Sequence, residues 1–204
     1  MSSRAWNNLR GWLLGFKRLV LFERPRGLGS LGKDSHILRP RVLLGRERIR
    51  LGDHCMVASN GLMYAIRDYQ GKKYDSSIVI GNDVYIGRYV FLVAAQGITI
   101  SSGCVLSEHV YITDENHGYN PLAGPIMQQE LESKGPVRIG PNCLLGYRTA
   151  VMPGVTLGEW CIVGANSVVT HSFPSYSMIA GAPARLIKVY SHELRQWVEP
   201  GTVE

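Results

Sequence analysis

The sequence has few charged residues and no long apolar run. Charged residues make up 19% of its 204 residues and aromatic residues 9%. A membrane-spanning helix requires about 20 consecutive apolar residues, but Lys17 and Arg18 interrupt the apolar stretch 12–22. Because no small-residue cleavage site follows this stretch, we expect no secretory signal. We therefore expect a cytoplasmic protein, with peripheral contact to the inner membrane left open.

Glycine is abundant instead, with 23 residues, and aliphatic residues recur every six positions. Such a period is typical of a parallel β-helix, in which each hexad forms a short strand and a corner, and three hexads form one triangular coil. The sequence thus predicts an all-β solenoid over residues 36–190, with a weaker pattern at Leu38, Leu44, Leu51 and Val57. The clear inward positions are Ile80, Ile86, Leu92, Ile100, Leu106, Ile112, Ile139, Leu145, Val151, Leu157, Val163 and Val169.

The four cysteines fit this register and lack the paired spacing of a zinc site. Each one follows an inward aliphatic residue by four positions, at a slot that small side chains fill elsewhere. We interpret them as free thiols buried in the core of a protein from a reducing compartment, and we expect no metal. They are Cys55, Cys104, Cys143 and Cys161.

The two ends of the chain depart from the repeat. Residues 1–35 contain apolar residues at helical spacing between Trp6 and Val20, and the first 50 residues hold 12 of the 22 Lys and Arg. This pattern predicts an amphipathic helix that either caps the first coil or lies on an anionic membrane surface. No nucleic-acid-binding module is present, so we expect no nucleic acid partner. Residues 191–204 are predicted to form a short helix or tail.

The repeat fails between residues 112 and 140, where a loop over 118–136 interrupts it. A long loop on a rigid scaffold often carries function, and His117 lies at its beginning. A neutral imidazole can accept a proton from a hydroxyl group. The residues alone leave two interpretations open: a catalytic histidine with a loop that shapes its pocket, or a corner histidine beside a tolerated insertion.

Four segments, ITDENHGY, KGPVRIGPNCLLG, VMPGVTLGEWCIVGANSVVT and IAGAPARLIK, resemble bacterial hexapeptide-repeat O-acetyltransferases that use acetyl-CoA. The resemblance covers residues 40–190 and is greatest to the branch that modifies sugars of lipopolysaccharide and other surface polysaccharides. It implies a left-handed β-helix and a homotrimer with active sites between subunits. It also implies that His117 is the general base that activates a sugar hydroxyl.

The same resemblance assigns candidate binding residues. Asp114, Asn116 and Tyr119 are expected near the acceptor sugar, and Asp114 could instead orient the imidazole. An Asx turn that shapes the corner explains Asp114 and Asn116 equally well. Leu144 stands where many relatives have tryptophan, which makes an acceptor pocket inferred by analogy uncertain at that point. Candidate contacts to acetyl-CoA are Gly146, Ala165, Asn166, Thr170, Arg185 and Lys188.

Three other functions compete with this interpretation. An acetyltransferase of the same fold could act on a small free sugar or an antibiotic. A zinc carbonic anhydrase would need three histidines that converge from adjacent coils. His109 and His117 are eight residues apart, and the repeat places no third ligand. A scaffold without turnover would retain the fold but bind no acetyl-CoA.

Overall fold

The computed structural model describes residues 25–202, which form short strands and two 3-10 helices, Arg46–Arg48 and Ile126–Gln128. The amphipathic helix predicted within residues 1–35, and with it the choice between cap and membrane contact, lies outside the described residues. Within 25–202, no helix is long and apolar enough to cross a membrane.

Parallel strands from successive coils stack into three faces of a solenoid. The first face contains Ser30–Leu31, Ile49–Leu51, Ser77–Ile80, Gly97–Ile100, Val137–Ile139 and Thr156–Leu157. The second face contains His36–Ile37, Met56–Val57, Tyr85–Ile86, Val105–Leu106, Leu144–Leu145, Ile162–Val163 and Ser177–Gly181. The third face contains Val42–Leu44, Leu62–Ala65, Phe91–Ala94, Tyr111–Thr113, Ala150–Val151 and Val168–Val169. The β-solenoid is thus confirmed, and its left-handed sense stays a prediction.

The clear inward positions are confirmed, since each of these aliphatic side chains is at most 2% exposed. The weaker pattern at the first coil is wrong by one residue. Ile37 and Leu43 point into the core there, whereas Leu44 is 49% exposed. The cause is the next corner, where the 3-10 helix Arg46–Arg48 lengthens the connection and restores the register at Leu51. The cysteines are confirmed as buried free thiols.

Glycines follow inward aliphatic residues because successive coils approach closely there. A Cβ atom on Gly146 would lie 2.7 Å from the backbone nitrogen of Ala165 in the next coil. The positive φ angles occur instead at residues two positions later, such as Arg148 with a φ of 56°. Glycine is therefore selected by packing between coils at this corner, and not by the turn itself.

The outer surfaces of the three faces differ in polarity. The first face carries mainly polar side chains in register, whereas the other two carry mainly apolar ones. The first face presents Ser30, Arg50, Val79, Thr99, Arg138 and Thr156. The second presents Met56, Tyr85, Val105, Leu144, Ile162 and Met178. The third presents Val42, Leu62, Phe91, Tyr111, Ala150 and Val168.

The C-terminal segment extends the second face with antiparallel strands. Ala184–Ser191 pairs with Ser177–Gly181, and Gln196–Val198 pairs with the end of Ala184–Ser191. Of the short helix or tail predicted over residues 191–204, the helix is therefore wrong within 191–202, where a strand forms instead. Tyr190 and Trp197 pair across the strands with ring centroids 5.5 Å apart, and such aromatic pairs stabilise a sheet.

Two insertions interrupt the corner between the third and first faces, which we call the insertion edge. The first insertion, residues 66–76, contains the hairpin strands Asp68–Tyr69 and Lys72–Lys73. The second, residues 114–136, contains the loop predicted over 118–136 and is closed by the strands Asn116–His117 and Leu131–Glu132. Ile66, Ala95 and Leu131 form a small buried apolar cluster that joins the two insertions. The sequence pattern missed the first insertion.

Candidate active site

His117 lies at the beginning of the second insertion, on a short antiparallel ladder. Its backbone pairs with Leu131, and the next residue, Gly118, donates its N–H to the carbonyl of Glu130 at 2.9 Å. A Cβ atom on Gly118 would lie 2.8 Å from that carbonyl oxygen, so the close approach requires glycine. The ladder therefore fixes the backbone of His117 while its side chain stays exposed.

The loop beyond the ladder is held by one buried side chain, Gln129. Its Oε1 accepts from the N–H of Asn120 at 2.9 Å, and its Nε2 donates to the carbonyls of Asn120 and Gly124 at 2.9 Å and 2.8 Å. An amide that satisfies three groups across the loop gives it a defined shape. The outer surface of the loop is exposed and includes Tyr119, Leu122 and Met127.

Tyr69, on the first insertion, contacts the imidazole of His117. The tyrosine oxygen lies 3.3 Å from Nδ1 of His117 and donates to the carbonyl of Met127 at 2.9 Å. The two rings meet edge to face, with centroids 5.5 Å apart. One residue of the first insertion therefore contacts both the candidate base and the loop that follows it.

Three more contacts tie the first insertion to the second. Gln70 donates to the carbonyl of Met127 at 2.6 Å, and Lys72 pairs with Glu130 at 2.7 Å. The hydroxyl of Tyr74 accepts the N–H of Leu131 at 3.2 Å. The pair of Lys72 and Glu130 is exposed, so it contributes little energy, and the bonds to backbone carry more of the positioning.

Asp114 has a different place from the one expected. Its side chain is 0% exposed, and its carboxylate accepts backbone N–H groups from Ala95, at 2.6 Å, Gln96, at 2.9 Å, and Gly97. Burial raises the pKa of this carboxyl, against the effect of these hydrogen bonds. A carboxylate that is enclosed in this way cannot reach a sugar. Asp114 therefore shapes the corner, but it does so by binding the backbone of the preceding coil and not through the Asx turn considered from the sequence.

Glu115 is the carboxylate that lies near the imidazole, and the sequence analysis did not single it out. Burial raises its pKa, and the charge of His117 lowers it. Its Oε1 lies 3.5 Å from the hydroxyl of Thr113, whereas its buried Oε2 has no hydrogen-bond partner among residues 25–202. A carboxylate beside an imidazole stabilises the imidazolium that forms when the base accepts a proton.

The other two predicted acceptor contacts lie near His117. Asn116 is half-buried and adjoins His117 on the ladder, and Tyr119 is 68% exposed two residues beyond it. Both side chains are thus available to a ligand at this rim. Their contact with a sugar stays a prediction.

The predicted cofactor contacts fall on two corners. Gly146 and Ala165 adjoin in successive coils at the corner between the second and third faces, and Asn166 follows with a φ of 57°. Thr170 follows the third face at the insertion edge, with its hydroxyl 3.3 Å from Nδ1 of His171.

Arg185 and Lys188 lie on the strand that extends the second face, in register with Ala180 and Met178. Within one chain, the third face therefore separates His117 from Gly146, Ala165 and Asn166, whereas Thr170 lies at the same edge as His117. Their roles in binding acetyl-CoA stay predictions.

The described residues contain no cluster of ligands for the competing zinc site. Within residues 25–202, no group of three His, Cys, Asp or Glu residues is arranged to hold a metal ion. His109 stacks on Tyr89 with ring centroids 4.9 Å apart, at the corner between the second and third faces. It therefore lies on a different edge from His117.

Known proteins resemble this chain in sequence and in fold. Residues 136–171 match the model of the hexapeptide repeat of succinyl-transferase. A putative lipopolysaccharide biosynthesis O-acetyl transferase of Escherichia coli, WbbJ, is 35% identical over 126 residues, which cover 59% of this chain and 64% of the relative. A probable acetyltransferase of Mycobacterium tuberculosis is 30% identical over 185 residues, which cover 90% of this chain and 57% of the relative.

Solved structures share the fold at low sequence identity. An N-acyltransferase from Bacillus cereus, AntD, in complex with dTDP and 3-hydroxybutyryl-CoA, has a TM-score of 0.67 at 20% identity, over 82% of this chain and 86% of that one. A hexapeptide-repeat acetyltransferase from Vibrio cholerae, in complex with acetyl-CoA, has a TM-score of 0.51 at 24% identity, over 81% and 73% of the two chains.

The chain spans 64% and 57% of the length of these two curated relatives. The repeat, the three parallel faces and these relatives agree with one another. The chain is thus similar to hexapeptide-repeat acetyltransferases in sequence and in fold, and its residues 136–171 match the repeat itself.

Proposed function

We propose that the protein transfers the acetyl group of acetyl-CoA to a hydroxyl group of a sugar, with His117 as general base. One observation supports this most strongly. His117 is exposed on a rigid ladder, its Nδ1 faces Tyr69, and its Nε2 has no hydrogen-bond partner among residues 25–202. One ring nitrogen is therefore held by the protein and the other is available to a substrate.

The chemistry needs one proton acceptor and no metal. His117 takes the hydroxyl proton as the sugar oxygen attacks the thioester carbonyl carbon. The carbon–sulfur bond then breaks, and the imidazolium returns the proton to the departing thiolate. Glu115 stabilises the imidazolium between these two steps, because it places a carboxylate near the ring.

The chain has features that suit a coenzyme A arm at the corner of Gly146. Ala165 and Asn166 are exposed at this corner, and the small methyl group of Ala165 lets an extended chain approach the backbone closely. The missing side chain of Gly146 makes room for the next coil and not for the ligand. Arg185 and Lys188 supply cations for the nucleotide phosphates. We propose these residues, with Asn166 and Thr170, as the binding path.

The acceptor is proposed to be a sugar of a surface polysaccharide or of its precursor. The name of the Escherichia coli relative, a putative lipopolysaccharide biosynthesis enzyme, supports this choice. A small free sugar is the second candidate, because a solved neighbour, AntD, is described in complex with the sugar nucleotide dTDP-4-amino-4,6-dideoxyglucose. Asn116 and Tyr119 are the proposed contacts to either acceptor.

The proposed assembly is a homotrimer with active sites between subunits. Two observations support it. The outer surfaces of two faces are apolar and in register over six strands each, and apolar patches of this extent usually mark an interface. His117 and Gly146 lie at opposite edges of the third face. If both belong to one site, a second chain must bring them together.

The assembly is tested by Leu144→Glu, which places a charge on the apolar second face, where Leu144 is 39% exposed. We expect the variant to sediment as a monomer and to lose acetyl transfer, because burying an unpaired charge is costly. The matched control is Thr156→Glu on the polar first face, which should remain trimeric. A wild-type protein that sediments as a monomer would contradict the proposed assembly.

The activity is tested by thiol release from acetyl-CoA. Free sugars, nucleotide sugars and lipid-linked glycan fractions serve as acceptors, and wild type is compared with His117→Ala. Release that depends on an acceptor and is lost in the variant, while acetyl-CoA binding is retained, supports the proposal and identifies the acceptor class. Failure of the wild type to bind acetyl-CoA would refute it and favour the scaffold.

A further inference from the structure

The contact between Tyr69 and His117 also determines which imidazole nitrogen carries the proton, because the tyrosine hydroxyl has only one proton to donate. Its oxygen lies 2.9 Å from the carbonyl oxygen of Met127 and 3.3 Å from Nδ1 of His117. A carbonyl oxygen only accepts. Two oxygens at 2.9 Å without a proton between them would repel each other, so the hydroxyl proton lies on the side of Met127.

The hydroxyl oxygen is then left as an acceptor towards His117. Nδ1 can form a hydrogen bond with it only by donating an N–H. We infer that Tyr69 is a positioning residue that holds neutral His117 in the tautomer protonated at Nδ1, so that the lone pair lies on Nε2. In a neutral imidazole, a proton on one nitrogen leaves the other as acceptor. Tyr69 thereby selects which nitrogen acts as the base.

The carbonyl of Met127 accommodates this arrangement. Gln70 also donates to it, at 2.6 Å, and a carbonyl oxygen has two lone pairs. Both donors come from neighbouring positions on one hairpin, and they reach a carbonyl that lies ten residues beyond His117 in the inserted loop. The hairpin therefore directs the tyrosine proton away from the imidazole.

The hairpin is rigid enough for this task. Asp68–Tyr69 pairs with Lys72–Lys73 through a two-residue turn, in which Gln70 and Gly71 have φ values of 49° and 78°. Two positive φ values are typical of the turn type that matches the twist of a hairpin. The ring of Tyr69 packs against the buried cluster of Ile66, Ala95 and Leu131, which limits its rotation.

This inference rests on the proposed role of His117 as base, but it concerns the tautomer and can be measured without any substrate. The Nδ1 proton stays on His117 throughout the reaction, donated to the oxygen of Tyr69. Nε2 meanwhile accepts the hydroxyl proton and returns it to the leaving thiolate. Without the tyrosine hydroxyl, the proton is free to move to Nε2. An Nε2–H imidazole cannot accept the proton of the substrate in the same position.

The experiment compares wild type, Tyr69→Phe and Gln70→Leu by long-range proton–nitrogen NMR of nitrogen-15-labelled protein. The signals of His117 are assigned by their loss in His117→Ala. We expect the Nδ1–H pattern in wild type and a shift towards Nε2–H in Tyr69→Phe. Gln70→Leu is the matched control, because it removes a bond to the same Met127 carbonyl but leaves the contact to Nδ1. It should retain the wild-type pattern.

Kinetics provides the second measurement. With the acceptor found by thiol release, Tyr69→Phe should lower kcat about 5- to 20-fold, the effect of one lost hydrogen bond, with KM for acetyl-CoA unchanged. An Nε2–H pattern in wild type, or the Nδ1–H pattern retained in Tyr69→Phe, would overturn the inference whether or not the protein is a transferase. An equal shift of the tautomer in Gln70→Leu would also overturn it, since loop anchoring would then be the cause.

Discussion

The corner between the first and second faces, which we call the regular edge, turns in the same way in successive coils, whereas the insertion edge does not. At the regular edge, one residue in each coil takes a left-handed conformation, and its identity varies widely. These residues are Asp34, His54, Asp83, Gly103, Asn142, Trp160 and Tyr176. At the insertion edge, two excursions leave the solenoid and contact one another.

The difference shows that a repeat can define a backbone turn but cannot position a particular side chain. The regular edge tolerates aspartate, histidine and tryptophan at one position because the backbone alone defines the turn. The insertion edge places His117 through specific side chains, since Asp114, Gln129 and Tyr69 each bind backbone or ring atoms there. Residue identity should therefore matter far more at the insertion edge.

The largest contrast is expected between two exposed histidines. His117→Ala should lower kcat by about 10²- to 10⁴-fold, the usual contribution of a general base. His54→Ala, at the regular edge, should leave kcat unchanged, because His54 only faces Asp34 and Asp83. Thiol-release kinetics measures both. Equal losses in the two variants would mean that the insertion edge holds no special site.

The second contrast compares two aspartates. Asp114→Asn puts an NH₂ group where the carboxylate accepts N–H groups from Gln96 and Gly97. The free energy of unfolding should fall by about 2–4 kcal/mol, because buried donors lose their partner.

The matched variant at the regular edge, Asp83→Asn, should change the free energy of unfolding by less than about 0.5 kcal/mol, since it loses only an exposed contact to His54. Urea denaturation measures both. A small effect of Asp114→Asn would show that the three amides do not depend on the charge.

The smallest expected effect is at Glu115, where a substitution should change stability and activity in opposite directions. Burial raises the pKa of this carboxyl above its ordinary value of 4.5, so the folded state holds the proton more tightly than the unfolded state. Stability conferred by the protonated form is lost as the pH rises through the folded pKa.

Glu115→Gln should therefore raise Tm at neutral pH and lower kcat a few-fold. Its stability advantage over wild type should increase as the pH rises from 4.5 and then level off above the folded pKa. Thermal melts from pH 4 to 8 measure this difference in Tm. Titration of Asp114 does not affect the difference, because both proteins contain this residue. A Tm advantage that grows towards acidic pH would contradict the assignment.

The sequence predicted the core because each inward position repeats with a fixed period. It also predicted the loop at His117, because the period stops there. It missed the offset of Ile37 and Leu43, since a lengthened corner follows them and the spacing that reveals the register lies beyond it. It predicted a short helix or tail at the C-terminus and missed the strand there, because local spacing does not show that Tyr190 has a strand partner in Trp197.

The partners of His117 were harder to predict, because they depend on contacts between distant segments. Tyr69 is 48 residues away in sequence. The choice between a binding and a structural role for Asp114 stayed open, because burial is a tertiary property. One local signal existed for the hairpin. Gln70 and Gly71 form a two-residue turn between segments that contain tyrosine and lysine, which is a pattern for a hairpin. The contact between this hairpin and the loop could not be predicted, because a single sequence carries no information about contacts between distant segments.

The ladder between Asn116–His117 and Leu131–Glu132 has a consequence for how the protein can change. It brings the two ends of the loop side by side, so residues 119–130 leave and rejoin the solenoid at nearly the same point. The intervening segment can be lengthened, shortened or exchanged without moving Ile112 or Ile139, which flank it in the core. Variation in this segment is thus mechanically uncoupled from folding, and new specificities can evolve there by replacing a single contiguous piece of the gene.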